Sequence, residues 1–572
     1  MVRTLCCVLN AVLVAALGLT GASPQQDQGT RTVAEQLAGG MELLRSGKTQ
    51  AALAEFQAAS RLDPRSVQAF VLVGVAENQL GKGQEAVSAL RHALELDPNS
   101  EAAHYNLALS LAQLNRPDEA IHELRAVLKL NPRLTTANYN LGVLLEKQGD
   151  YEGAIQALQA ARDSQPGDSA TLVHLVTDCM KAGKNTQAVS LAQDAASRDA
   201  KGDLSIQLGL LLMEHTHFKE AVQLLETARS RVPASGELNL TLARAYIGAG
   251  QPQKAIGLLR TSQSEDSSWQ VWYLAGLAYM SLNDAVSSIA SFREAVRLAP
   301  NQPKVHFQLG RLLLASTSES EQNEGIQELT QAISLEPRET ENYAVLGKWL
   351  LEHEYVKDAI SVLEPGIRNS PPSAVLEVMM ALAQATLHGG AAAKPFAEKA
   401  LQLDPRMALA LYMVGFSYLN AGDYAEAANY YKQATEIDPR NDVYFFNLAV
   451  ALWRLNRPAD ALSYAQRSAA LSPGRGLNHY LLGKIYMKLN RDDQARTELE
   501  TSIRLNPKLE NSYYLLSQIY ARMGNASEAQ AMQEKLAQLR QIRDKAVQFE
   551  SPESDPAELL PPSRVLQGHE RP

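Results

Sequence analysis

Residues His104–Ile121 read HYNLALSLAQLNRPDEAI, and thirty-four residues later Asn138–Ile155 reads NYNLGVLLEKQGDYEGAI. Tyr-Asn-Leu, a small residue, a turn and Ala-Ile fall at matching places in the two stretches. In each, two apolar runs at helical spacing flank one residue, Asn115 or Gly149, of a type that accepts the left-handed conformation ending a helix. The unit is a helix, a tight turn and a second helix. Self-similarity at a fixed period of this length is the mark of a repeat array.

Working outward, the same register runs through almost the whole chain. Prolines recur at Pro64, Pro98, Pro132, Pro166, Pro233, Pro300, Pro337, Pro371, Pro405, Pro439, Pro473 and Pro507. Most follow a short ending such as RLDP, ELDP, KLNP or SLEP. Proline there stops the preceding helix by removing a donor and clashing with the previous turn. Two positions in each unit stay small: the eighth (Gly74, Ala108, Gly142, Gly415, Gly483) and the twentieth (Ala86, Ala120, Ala154, Ala427, Ala495). Small residues there let antiparallel helices approach while larger neighbours such as Leu107, Leu111 and Leu124 fill the space around them.

With Leu-Gly at positions seven and eight, Tyr at eleven, Ala at twenty and twenty-seven and Pro at thirty-two, the unit resembles the tetratricopeptide repeat. Leu411, Val414, Gly415, Tyr418, Ala427, Tyr431, Ala434 and Pro439 form one of the cleanest copies. The resemblance implies an all-α fold, an α-solenoid winding as a right-handed superhelix of about fifteen helix-turn-helix repeats over residues 33–543. Departures are local. The unit after Pro166 has Val176 and Cys179 where Gly and Tyr are usual. The segment STSESEQNEG carries three extra residues, read as a longer turn. LHGGAAAKP reads as a loose turn, with Pro395 in the first turn of the following helix.

Residues 1–22 combine Arg3, an apolar run from Leu5 to Leu19 and the small residues Thr20, Gly21 and Ala22, the order of a secretory signal peptide. The expected product is exported, periplasmic or extracellular. A retained signal would anchor the array on the exported side, and no other segment approaches spanning length. Residues 23–32 form a short linker, and 544–572 a Pro-rich, charged tail expected to be disordered. Only Cys179 would remain after processing, too few for a disulfide or a zinc site.

The formal net charge is −9 with no long basic block, which excludes nucleic acid from the expected partners. The phosphate-binding glycine motifs, HExxH and GxSxG are all missing. The eleven histidines are scattered, and the one close pair, His215 and His217, has no further ligands beside it. Neither enzyme activity, a cofactor nor a metal is expected.

In proteins of the resembled family, the first helices line a concave groove that holds peptides or partner helices. By that comparison the stripe at positions two, five, nine and twelve faces the groove. It carries Tyr105, Tyr139, Tyr273, Phe307, Tyr412, Phe446, Tyr480 and Tyr514 at position five, with Phe416, Trp453, Lys484 and Lys488 added near the C-terminal end. Asn106, Asn140 and Asn447 adjoin it. Exposed aromatic anchors with amide donors suit a protein-binding surface. The expectation is a non-enzymatic scaffold for proteins or peptides; the alternative is an accessory subunit of a glycosyl-transfer or polysaccharide assembly and secretion system. The sequence leaves the oligomeric state open.

Overall fold

The computed structural model describes residues 31–232, 235–263 and 268–547. The signal peptide expected at 1–22 and most of the expected tail lie outside the described residues. Thirty helices and no strand are found among those described, and they pair into fifteen hairpins. The chain divides into two compact units, one through Asp266 with seven hairpins and one from Ser267 with eight.

The third hairpin shows how the local code works. Its first helix, Glu101–Gln113, opens on Ser100, whose side chain accepts from the Ala103 amide. It ends where Asn115 turns to φ 57° and the Arg116 amide reaches back to the Leu111 carbonyl at 2.9 Å. Pro117 then starts the second helix, Pro117–Leu130, at a position that needs no donor. That helix stops at Asn131, in front of Pro132. Its apolar face buries Ala120, Ile121, Leu124 and Val127.

The close approach within a hairpin comes from the eighth residue meeting the twenty-fourth. A β-carbon on Gly142 would stand 2.5 Å from Leu158 Cγ, and one on Gly483 2.6 Å from Leu499 Cγ. Gly40 and Gly276 stand the same way against Phe56 and Phe292. The twentieth residue contributes its backbone, since the Ala154 carbonyl lies 3.4 Å from the same point on Gly142. The fifth hairpin reverses the sizes, Val176 at position eight and Ala192 at position twenty-four, both fully buried. Volume is kept while the pattern is inverted.

Three local expectations are corrected. The extra residues of STSESEQNEG enter the second helix, which runs Glu319–Leu335 over 17 residues against 14 in most hairpins. Glu319 and Glu321 in its first turn favour the added helix by facing the positive end of the helix dipole. LHGGAAAKP is a tight connection: Ala374–His388 and Gly390–Leu403 are joined by Gly389 alone, at φ 79°. Because the second helix starts so early, Pro395 falls inside it, beyond its first turn. The last helix, Ala526–Val547, is the longest among the described residues at 22 residues.

Candidate functional site

The position-five aromatics are mostly core residues. Tyr105, Phe307, Tyr412, Phe446 and Tyr480 are all buried, as is Phe416, so the expectation of an exposed aromatic stripe is corrected at these positions. The cause is the next repeat. Tyr105 accepts a hydrogen bond from Asn140 Nδ2 at 3.1 Å, from one hairpin to the next. The Tyr412 ring lies 5.4 Å from that of Tyr444 in the following hairpin. Nor do the asparagines offer free amides. Asn106 Nδ2 donates to the Ala102 carbonyl, and the fully buried Asn447 donates to Val443. Tyr139 and Tyr273 are half-buried against His174 and Phe292 respectively, and Tyr514 is 48% exposed.

At one seam the structure does assemble an accessible site, and it contains four of the expected residues. Helices Asp442–Arg454 and Gly476–Lys488 bring Phe446, Trp453, Tyr480 and Lys484 around one crevice, with Val450, Leu481 and Arg454 completing the walls. Lys484 Nζ sits 3.9 Å from the centre of the Trp453 ring, and the Arg454 guanidinium 5.6 Å from it. A cation this close to an indole face is attracted by the ring quadrupole. Trp453 also walls an adjoining open hollow of about 310 Å³, lined by Tyr424, Arg454, Asn456, Pro458 and Lys488.

This arrangement follows from spacing. Phe446, Val450 and Trp453 are four and three residues apart on one helix face, and Tyr480, Lys484 and Lys488 follow at steps of four on the next. The buried Phe446 holds its helix in the core, while Trp453 near the helix end stays half-exposed. The site therefore presents one large ring, an apolar floor and three cations, Arg454, Lys484 and Lys488. Sequence reasoning reached Trp453 and both lysines as the C-terminal part of the groove; Arg454, at the same position thirteen as Lys488, was missed.

Two other polar constellations escaped it. His104, His306 and His479 each stand at position four, between a glutamate and the carbonyl of the linking proline. The Nδ1 distances to Glu123, Glu328 and Glu498 are 2.5, 2.5 and 2.7 Å. The Nε2 distances to Pro98, Pro300 and Pro473 carbonyls are 3.0, 2.8 and 3.0 Å. Tyr343 and Tyr513 bond the same carbonyl through their hydroxyls. These are latches between helices and proline links, and the nineteen-residue His-to-Glu spacing of His104 and His479 was the available signal. In the first unit, Asp178 is fully buried with neither carboxylate oxygen bonded. Burial and the Glu146 charge push its pKa up to about 7, against the opposing pull of Lys181 and His174. Glu146, bonded by His174 and Lys181, is held down at about 2. Among the described residues no three His, Cys, Asp or Glu side chains gather as a metal site. Cys179 is buried and unpaired, its thiol pKa raised by burial.

A run of helix hairpins closed by small residues at positions eight and twenty defines an α-solenoid of short helical repeats. Tetratricopeptide repeat profiles match residues 37–101, 105–169, 378–442, 412–475, 212–275, 452–514 and 510–542. The profile described as the cytochrome c-type biogenesis protein H TPR domain matches 255–374. The chain belongs to the tetratricopeptide repeat family, whose arrays are protein-interaction scaffolds. Similar solved structures include Naa15/Naa10 bound to HypK-THB, at 14% identity, covering 91% of this chain and 98% of that one, TM-score 0.37. MamA is 22% identical over 28% of this chain and 95% of its own, TM-score 0.27. The anaphase-promoting complex hetero-tetramer Cut9-Hcn1 is 13% identical over 86% and 96%, TM-score 0.29. No curated protein matches the chain in sequence. No described helix is long and apolar enough to cross a membrane.

Proposed function

We propose that the protein is an exported, non-enzymatic scaffold that holds a segment of a partner protein at the Trp453 site. The observation that carries this reading is the Trp453 ring, half-exposed between an apolar crevice and a hollow of about 310 Å³, with Lys484 packed on its face. Large aromatic and arginine side chains at a desolvated centre supply most of the energy at protein interfaces, and a hollow of this size accepts a side chain or two. Export is supported by the order of Arg3, the Leu5–Leu19 apolar run and Ala22. Protein rather than nucleic acid fits the net charge of −9. The profile match to a biogenesis protein's repeat domain supports a role in assembling other proteins.

The test is affinity capture with the full chain from envelope extracts, beside Trp453→Ala and, as a control, Val286→Ala, whose side chain is 82% exposed. Partners kept by wild type and control but lost from Trp453→Ala are the expected result. Partners retained equally by all three would overturn the assignment of the site. N-terminal sequencing of protein from each cell fraction tests export: an intact Met1 in the cytoplasm alone would end that part of the reading.

A further inference from the structure

Position four of the first helix carries two kinds of latch. His104, His306 and His479 each hold a glutamate of their own second helix at Nδ1 and a link-proline carbonyl at Nε2. Tyr343 and Tyr513 reach the equivalent carbonyls, of Pro337 and Pro507, with a hydroxyl. The histidine latch is kept across a change of length. His306 and Glu328 are 22 residues apart against 19 for the other two pairs, and the extra residues of STSESEQNEG account for the difference.

Carbonyl and ionised carboxylate oxygens only accept, so each ring nitrogen needs a proton for its bond, and a neutral imidazole carries one. The complete latch therefore holds one proton more than a neutral ring beside a carboxylate, whether that proton rests on Nδ1 or on the glutamate. A phenol supplies its single proton without any charge. We propose that position four is a proton-operated latch. At His104, His306 and His479 acid completes the tie between hairpin and proline link, and loss of one proton opens it, while Tyr343 and Tyr513 stay closed.

The surroundings support this. The His306 side chain is 5% exposed and that of Glu328 18%, so water replaces little of a lost bond. Burial alone lowers the His306 pKa, yet Glu328 and the Pro300 carbonyl raise it above the ordinary imidazole value. The charged group facing each ring is its own glutamate, Glu123, Glu328 or Glu498, and the link offers an uncharged carbonyl. Arg293 of the preceding second helix, paired with Glu324, also lies within reach of the Glu328 charge. A folded state that holds a proton more tightly gains stability at low pH and loses it as pH rises. His479 lies in the first turn of Gly476–Lys488, which walls the Trp453 crevice, so acid firms one wall of that site. This consequence rests on the reading of the site as a binding one.

Amide exchange of the purified full chain at about pH 5.5 and about pH 8, corrected for intrinsic rates, tests the proposal without a partner. The expected result at the higher pH is protection lower by about fivefold or more in Glu101–Gln113, Pro303–Leu314 and Gly476–Lys488, which hold the histidines. Thr340–Glu352 and Glu510–Arg522, which hold the tyrosines, should change little. His306→Tyr should remove the loss in Pro303–Leu314 and leave it in Gly476–Lys488. Glu328→Gln, whose amide can donate to a neutral ring, should do the same. Equal changes in the histidine and tyrosine helices overturn the proposal. So does the lack of any loss in the histidine helices, or a loss in Pro303–Leu314 that persists in both variants. Each of these failures leaves partner capture at Trp453 standing, because that reading is tested with the extract.

Discussion

Gly142 and Leu158 share one space: the place where a β-carbon would project from the glycine is 2.5 Å from Leu158 Cγ, and Leu158 is fully buried. The hairpin closes as far as it does because position eight has no side chain. Gly142→Ala should therefore force the helices apart or drive Leu158 off its rotamer, at a cost of about 1–3 kcal/mol. Stability in a repeat array is close to a sum of local terms. The loss should appear as faster amide exchange in Thr135–Gln148 and Tyr151–Ser164, with distant hairpins unchanged. Trimming the opposing side chain in Gly142→Ala/Leu158→Val should recover part of it.

Two hairpin turns place a residue with a full side chain at the left-handed position where most others use glycine or asparagine. Thr216 has φ 63° and Glu354 φ 65°. Left-handed backbone costs such residues about 1–2 kcal/mol, against about 0.5–1 kcal/mol of added unfolded-state freedom for glycine. Thr216→Gly and Glu354→Gly should each stabilise their hairpins by roughly 0.5–1 kcal/mol in denaturant melts. The β-branched Thr216 should gain more. A loss at both sites would show that the side chains stabilise the turns by more than the strain costs.

Asp178 makes the first unit sensitive to pH. Its carboxyl has an ordinary pKa near 4 in the unfolded chain and one of about 7 in the folded protein, so the folded state binds the proton more tightly. Its unfavourable contribution is therefore absent below pH 4, grows between pH 4 and 7, and is complete above 7, at a scale of order 3 kcal/mol. Asp178→Ala should match wild type near pH 4 and exceed it at pH 8, read by exchange in Ser169–Lys181. In the second unit His306 acts in the same direction. Burial pushes its pKa down, but Glu328 and the Pro300 carbonyl outweigh that and hold it above the ordinary imidazole value. The latch is intact below about 6.5 and weakens as pH rises through the raised pKa.

Tyr412 and Tyr431 are fully buried 5.5 Å apart, and neither hydroxyl has a hydrogen-bond partner. Tyr343, equally buried, donates to the Pro337 carbonyl at 3.0 Å. An unpaired buried hydroxyl is a cost, whereas a paired one contributes about 1 kcal/mol. Tyr412→Phe and Tyr431→Phe should leave stability unchanged or raise it by up to about 1 kcal/mol. Tyr343→Phe should lower it by about the same amount. Urea midpoints of the three single variants decide this, and equal losses in all three would refute the distinction.

Much of the fold was legible because its determinants are local. Proline at most links, glycine or asparagine at most turns and mostly small residues at positions eight and twenty act within one hairpin, so a single period reveals them. STSESEQNEG and LHGGAAAKP misled for a related reason. Composition says where a helix can break, but a helix lengthens or starts early when capping and packing favour it.

The candidate site was less legible because helical spacing gives a residue's direction and not what covers it. Tyr412 and Trp453 both lie on the stripe expected to face the groove. One is sealed by Tyr444 from the following hairpin, while the other, near its helix end, keeps an accessible ring beside Lys484. The sequence alone determined the repeat, its register and the array of helix hairpins, since each follows from contacts within about thirty-four residues. Tertiary structure decided which aromatics are core, which histidines latch onto a neighbouring glutamate, and that Asp178 is buried without a partner. Those properties depend on the residues that the adjoining helices bring against them.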